Sequence, residues 1–569
     1  MPSLPAFVRF VPLFVIVSLF ANLTVPTPAH AERPRLVLVV SVDQLCQLYL
    51  EQFRDNLQQS KMFFGRAEEE GAIYRNCHHQ HAFSVTAPGH ACLMTGCYPN
   101  YHGIVGNNWF DRNTGKDVYC ISDPNVTNLS SQPADEKEPE TAVGMSPRTL
   151  QVETVGDVLK LHSGGKSKVF GLAWKDRAGV LMAGHSADGV FWCQKGEWIT
   201  STYYRDDLPG YLRNLNSSKL VKGYAGKSWK LLLPIQRYHS WTADEDEGEA
   251  PPSKMMRSFP HDMPEEGTSE YMLHLPVSPF SNEITIQVAK ELIQAEKLGS
   301  DAYPDILCIG LSANDYVGHA FGPQSLEVED MVYRTDALLA EFSSWLQQKI
   351  GTSWTMIVTS DHGVAPIPKI AADLRLPAGR NPIGAPARIR GQLDDFLRRE
   401  MKIVEPEGVE EKNRRDLVTK VEANQIYLNR SHPALSGGKV HLAEQLVRDW
   451  LLENSRVISA YTREDLLRGG DQKLIQQFQR AWHPRRSGDV LFATGPYMIP
   501  GLNGTTHGSP WQYDTHVPLV IVGQNVRKGN FDRQVSPAAI AASVARLLDI
   551  PPPATAVEGP LTEGVQRGN

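Results

Sequence analysis

At 569 residues, 41% hydrophobic and 21% charged, the chain can bury a large core and has the composition of a globular protein. Its formal net charge of −7, with no basic stripe, excludes a protein that grips polymeric nucleic acid by the phosphates. The seven cysteines (46, 77, 92, 97, 120, 193 and 308) are too few for a disulfide scaffold, and their odd number leaves at least one thiol unpaired within the chain.

Residues 1–31 contain one charged residue, Arg9, an apolar stretch from about Val11 to Leu23, and the small-x-small sequence Ala29-His30-Ala31. This is the pattern of a secretory signal peptide cleaved after Ala31. The apolar stretch is shorter than the roughly 20 residues of a membrane span, and no later segment is apolar enough to be one. An exported protein, periplasmic or secreted and without a transmembrane segment after cleavage, is expected.

Beyond the leader, continuous apolar runs at Leu36–Val42, Lys168–Ala173, Ile306–Leu311, Met356–Thr359, Asp489–Ala493 and Val517–Val522 predict strands covered on both faces. Helical periodicity falls between several of them, as at Ile284–Ala295 and Glu327–Gln348. That alternation predicts an α/β fold with a largely parallel sheet flanked by helices on both faces, in which ligands bind beyond the carboxyl ends of the strands. Two stretches break the rhythm, at about 188–275 and 370–485, and are read as cap-like insertions on a single unit spanning 32–569. The acidic run Asp244–Glu249 within the first is read as a solvated loop.

The chemistry gathers at the strand ends. Asp43 ends the first run, Asp315 and His319 follow the third, Asp361-His362 follow the fourth, and His507 precedes the last. Charged residues at the tips of buried strands are costly unless something positive meets them. Three aspartates and three histidines suit mixed oxygen and nitrogen coordination of zinc. With Thr86 they make a ligand set sized for two neighbouring metals. Thr86, in Ser84-Val85-Thr86-Ala87-Pro88-Gly89-His90, has the setting of a helix start with Thr86 near the N-cap, where free backbone N–H groups favour an anion. After the second run, Lys175 and Arg177 would point to the same side if extended and could hold a dianionic phosphoryl group. Asn107 could donate to another phosphoryl oxygen. His78, His79, His81, His90 and His102 fall outside this pattern and are read as structural.

The stretches SVDQ at 41–44, SVTAPGHACLMTG at 84–96, HGIVGNNWFDR at 102–112, AWKDRAG at 173–179, SANDYVGHAFGP at 312–323, SDHGV at 360–364 and TTHGSPWQYDTHVP at 505–518 span most of the chain. Together they resemble the alkaline phosphatase superfamily, and most closely its single-chain exported bacterial phosphatases with a threonine nucleophile. The resemblance implies an alkaline-phosphatase-like fold and hydrolysis of small-molecule phosphate monoesters through a phosphothreonine at Thr86. It implies one zinc held by Asp315, His319 and His507, and a second held by Asp43, Asp361 and His362 with Thr86 upon it. Asn107, Lys175 and Arg177 would bind the phosphoryl oxygens, and the chain would act as a monomer. The Thr-His-Gly setting favours His507 over the nearby His516 as the ligand. The alternative is a phosphodiesterase or nucleotide pyrophosphatase on the same scaffold. A sulfatase is disfavoured, because no Cys/Ser-x-Pro-x-Arg sequence is present.

Overall fold

The structure, a computed structural model, describes residues 1, 32–131, 143–240, 242–381, 383–404 and 414–568. The leader expected over 1–31 therefore lies, Met1 aside, outside the described residues. At the centre is a ten-stranded sheet in the order Gly529–Phe531, Ala72–Tyr74, Leu519–Gly523, Trp354–Thr359, Leu36–Val42, Asp305–Leu311, Val169–Ala173, Gly189–Gln194, Glu197–Ser201 and Asn128–Leu129. The run from Trp354–Thr359 to Gly189–Gln194 is parallel throughout.

Strand Leu36–Val42 shows why the apolar runs are continuous. Leu36, Leu38, Val40 and Val42 enter one core, with Ile284 and Val288 of helix Phe280–Ala295 and Leu339 and Leu346 of helix Leu326–Ile350. Val37 and Val39 enter a second core on the opposite face, with Leu159 of helix Val155–His162 and Val544 and Leu548 of helix Ala539–Leu548. A strand that buries both faces must be apolar at every position, and each such side chain contributes about 1.5–3 kcal/mol.

Four expectations change in detail. The last predicted strand, Leu519–Gly523, pairs antiparallel with Trp354–Thr359. Its incoming end therefore lies at the carboxyl ends of the parallel strands, the rim to which the preceding segment delivers His507. The run at Asp489–Ala493 forms strand Val490–Thr494 of a separate four-stranded sheet with Val418–Glu422, Gln425–Leu428 and Val457–Thr462. Its two faces enter different clusters, Val490 and Phe492 in one and Leu491 and Ala493 in the other, which gives it the same continuous pattern. The segment 188–275 does not begin as an insertion, because Gly189–Gln194 and Glu197–Ser201 continue the central sheet. Their aromatics, Phe191, Trp192 and Trp198, are core residues. Finally, Glu249 at the end of the acidic run is not solvated but only 2% exposed. All seven cysteines are free thiols, six of them buried.

Candidate active site

The carboxyl ends of the parallel strands deliver the charged residues. Asp43 directly follows Leu36–Val42, and Asp361-His362 lie one residue beyond Trp354–Thr359. Asp315 and His319 lie one turn apart in helix Ala313–Phe321, which starts where Asp305–Leu311 ends. Thr86 is the first residue of helix Thr86–Thr95, after the extended Val85, so it stands one position inside the helix rather than at its cap. The helix approaches the Asp361 loop so closely that a Cβ on Gly89 would lie 2.3 Å from the Asp361 carbonyl oxygen.

The two cations reach the site by different routes. Lys175 caps helix Asp176–Ala183, and the chain turns there instead of continuing extended. The Lys175 ammonium, 5% exposed, donates to Asp43 Oδ2 at 2.7 Å and Asp315 Oδ2 at 2.5 Å. Arg177, in the first turn, directs a guanidinium nitrogen to within 3.4 Å of Thr86 Oγ1. The two therefore do not point out side by side. Lys175 joins the carboxylates, and Arg177 flanks the hydroxyl. Asn107 accepts the Ala87 N–H on its Oδ1 at 2.9 Å, which turns its amide NH2 group away from the helix end and leaves it free to donate.

The histidines share a pattern. His319 Nδ1 meets the Thr505 carbonyl at 2.7 Å, His362 Nδ1 the Gly363 carbonyl at 3.0 Å, and His507 Nδ1 the Ser84 carbonyl at 2.9 Å. A carbonyl can only accept, so each Nδ1 carries a proton, and Nε2 is the nitrogen left to meet a cation. Those Nε2 atoms face carboxylates: His319 and His507 lie 3.2 and 3.5 Å from Asp315 Oδ1, and His362 lies 3.1 Å from Asp361 Oδ2 and 3.5 Å from Asp43 Oδ1. This is how metal-binding imidazoles are oriented by an outer partner. Ligand atoms of Asp43, Asp361 and His362 lie within 4.8 Å of one another, as do those of Asp315, His362 and His507.

The electrostatics carry the imprint of crowded acid. Burial, and then Asp361, push Asp43 up to about 6. Burial drives His507 down to about 3. Burial acts on His362 in the same direction, but Asp361 outweighs it and lifts that imidazole to about 9. Asp43 Oδ1 and Asp361 Oδ2 are buried and make no well-directed hydrogen bond. Hard, unsatisfied carboxylate oxygens beside inward-facing imidazole nitrogens fit a divalent cation of the zinc type.

All ten residues expected from the sequence thus meet at one rim. His516 does not: its Nε2 meets the Arg75 carbonyl at 2.7 Å, and its ring stacks on His78. Two residues at the rim escaped sequence reasoning. Gln44, in the left-handed region at φ 68°, donates its side chain to Asp315 Oδ1 at 2.7 Å and its backbone N–H to Asp361 Oδ1 at 3.2 Å. His90 lies 3.2 Å from Asp361 Oδ2, with the same Nδ1 also 2.8 Å from the Thr86 carbonyl. Adjacency to Asp43 was a usable signal for Gln44, and the i, i+4 spacing from Thr86 was one for His90.

A largely parallel, helix-flanked sheet with an acid- and histidine-lined rim and a hydroxyl at a helix start suits metal-assisted hydrolysis. The chain belongs to the type I phosphodiesterase / nucleotide pyrophosphatase family, which matches residues 37–490. It is 31% identical to the alkaline phosphatase PhoV of Synechococcus elongatus, over 94% of each chain. It is 32% identical to the alkaline phosphatase PafA of Elizabethkingia meningoseptica, over 94% of this chain and 95% of that one. The crystal structure of wild-type PafA superposes with a TM-score of 0.83 at 30% identity, covering 94% of this chain and 99% of PafA. A Myroides odoratus protein named calcium-transporting ATPase is 31% identical over 96% of this chain and 98% of its own length. Among the described residues no helix is long and apolar enough to cross a membrane.

Proposed function

We propose that the chain is a zinc-dependent alkaline phosphatase, hydrolysing small-molecule phosphate monoesters through a covalent phosphothreonine at Thr86. The observation that carries this is the Thr86 hydroxyl flanked by the Arg177 guanidinium at 3.4 Å and by the inward Nε2 of His362 at 3.5 Å. Two zinc ions would be held by Asp315, His319 and His507, and by Asp43, Asp361 and His362 with Thr86 beside them. Bound there, they would supply Lewis-acid neutralisation of phosphoryl charge.

The protein's own groups set the rest of the chemistry. Thr86 gives up its hydroxyl proton to solvent as Oγ1 attacks phosphorus in line, forming the Oγ1–P bond as the ester P–O bond breaks. The leaving oxygen takes a proton and departs as the alcohol. Water then cleaves the phosphothreonine and regenerates the hydroxyl. Arg177 and the free amide of Asn107 bind equatorial phosphoryl oxygens, aimed where charge spreads in the transition state. Lys175 balances Asp43 and Asp315 and orders them. A cationic surround of this kind favours a dianionic monoester over a diester, which carries one charge fewer and a second substituent. The family's name keeps a phosphodiesterase or nucleotide pyrophosphatase as the second reading. The leader over 1–31 would place the enzyme in the periplasm or outside the cell, as a monomer.

The test is acid-quench trapping with a radiolabelled monoester. Label should appear on Thr86 in the peptide map of the wild type and be absent from Thr86→Ala. Turnover without any trapped label, unchanged in Thr86→Ala, would refute the covalent step.

A further inference from the structure

A second ligand cluster lies outside the rim, on the other end of the Thr86 helix. His79 and His81 lie in the segment leading to that helix, and Cys92 lies on the helix itself, six residues after Thr86. One ligand atom from each, two imidazole nitrogens and a thiol sulfur, lie within 4.8 Å of one another. All three side chains are buried: His79 is 1% exposed, His81 and Cys92 0%.

The hydrogen bonding points to something between them. His79 Nε2 lies 3.0 Å from the Ser360 carbonyl, so Nε2 carries the proton and Nδ1 holds a lone pair with no partner. His81 has no partner on either ring nitrogen. Leaving a buried polar atom unmet costs about 1–3 kcal/mol, and His79 Nδ1 and both ring nitrogens of His81 are such atoms. The carbonyl–imidazole arrangement at His79 is the one that orients metal ligands. Burial holds both imidazoles neutral, with His79 down to about 4. Neutral imidazole is the ligating form. Arg480 bears on His81, but its guanidinium lies over the Tyr98 ring and contacts the Gln80 carbonyl.

We propose that His79, His81 and Cys92 form a structural metal site for a borderline divalent ion such as zinc, separate from the catalytic pair. Binding forms two N–metal bonds and one S–metal bond, and the Cys92 thiol releases its proton to solvent. Two imidazoles and a thiolate suit zinc, which would complete its coordination with a water or a neighbouring group. The site would tie together the segment before Thr86, the helix that Thr86 begins, and the Ser360 carbonyl just before Asp361-His362. It would thus brace two sides of the catalytic rim from beneath. The rival occupant is a buried water.

The sulfur distinguishes them, because every residue assigned to the catalytic ions binds through oxygen or nitrogen. The full chain, freed of metal and reloaded with cobalt(II), should show a near-ultraviolet thiolate-to-cobalt charge-transfer band. The band should vanish in Cys92→Ser and in His81→Gln while the visible cobalt bands of the catalytic rim remain. It should survive in Cys77→Ser, a buried thiol outside the cluster. The wild type should also retain about one metal equivalent per chain more than Cys92→Ser after dialysis. Absence of the band in the wild type, its persistence in Cys92→Ser, or its loss in Cys77→Ser would overturn the assignment.

Discussion

Lys175→Met removes the ammonium while keeping most of the side chain's length and its apolar stem. In the structure that ammonium touches Asp43 at 2.7 Å and Asp315 at 2.5 Å, all three groups being nearly inaccessible to water. At an effective dielectric of about 20, each contact is worth roughly 6 kcal/mol of Coulomb energy, most of which offsets desolvation. Removing one partner of a buried pair, with the other charge left behind, costs about 3–5 kcal/mol. Asp43, already pushed up to about 6, can escape part of this by taking a proton, so the lower end applies. The assay is urea unfolding of wild type and variant in EDTA and again with zinc, at matched pH. In EDTA the variant should lose about 3 kcal/mol, and zinc should close most of the gap because cations then meet the same carboxylates. Monoester kcat/KM of the zinc-loaded variant should fall by roughly 10²- to 10³-fold. A chelated variant within about 0.5 kcal/mol of wild type would refute the idea that Lys175 holds the metal-site carboxylates in place.

Two further substitutions probe the frame. Gly89→Ala places a Cβ 2.3 Å from the Asp361 carbonyl oxygen, backbone that cannot swing away. It should cost about 1–3 kcal/mol in thermal stability and, by shifting Thr86 against Asp361-His362, roughly 10²-fold in kcat; wild-type kinetics would show that the helix need not sit so close. Glu249 is buried with both carboxylate oxygens unpartnered, and burial followed by Glu327 lifts it to about 9. Its folded form keeps a proton that the unfolded form gives up near 4.5, so its contribution is full below 4.5 and is lost as pH rises through about 9. Glu249→Gln should therefore gain on wild type by about 5 kcal/mol between pH 5 and 9 in urea titrations, at roughly 1.4 kcal/mol per pH unit, and a pH-independent difference would show that Glu249 is ionised in the fold.

Much of this architecture was legible in the sequence because both-faces-buried strands cannot hide. Leu36–Val42 reads as a strand since alternate residues enter opposite cores, and the next residue, Asp43, then stands at a strand tip. What the pattern concealed was partnership. Val490–Thr494 has the same apolar continuity but serves a different sheet, since covering both faces leaves the same trace whatever covers them. Gly189–Gln194 was obscured by aromatics and glycine that read as irregular. At the rim, the candidate ligands stood out as charges beside apolar runs, whereas Gln44 and His90 carried only the weaker signals of adjacency to Asp43 and i, i+4 spacing from Thr86. The turn at Lys175 was missed for a related reason. The helix begins at Asp176, so alternation along an extended chain gave the wrong directions for Lys175 and Arg177, although both side chains reach the rim. His79 and His81 read as structural, and no spacing in the sequence indicates that the fold sets Cys92 beside them.

The measurement that bears most directly on the central claim is the ratio of kcat/KM for p-nitrophenyl phosphate to that for bis-p-nitrophenyl phosphate, using purified zinc-loaded enzyme. A strong preference for the monoester that collapses in Arg177→Ala and Lys175→Met is predicted by a cationic surround built for a dianionic phosphoryl group. Preference for the diester, unchanged in those variants, would contradict it and make the chain a phosphodiesterase.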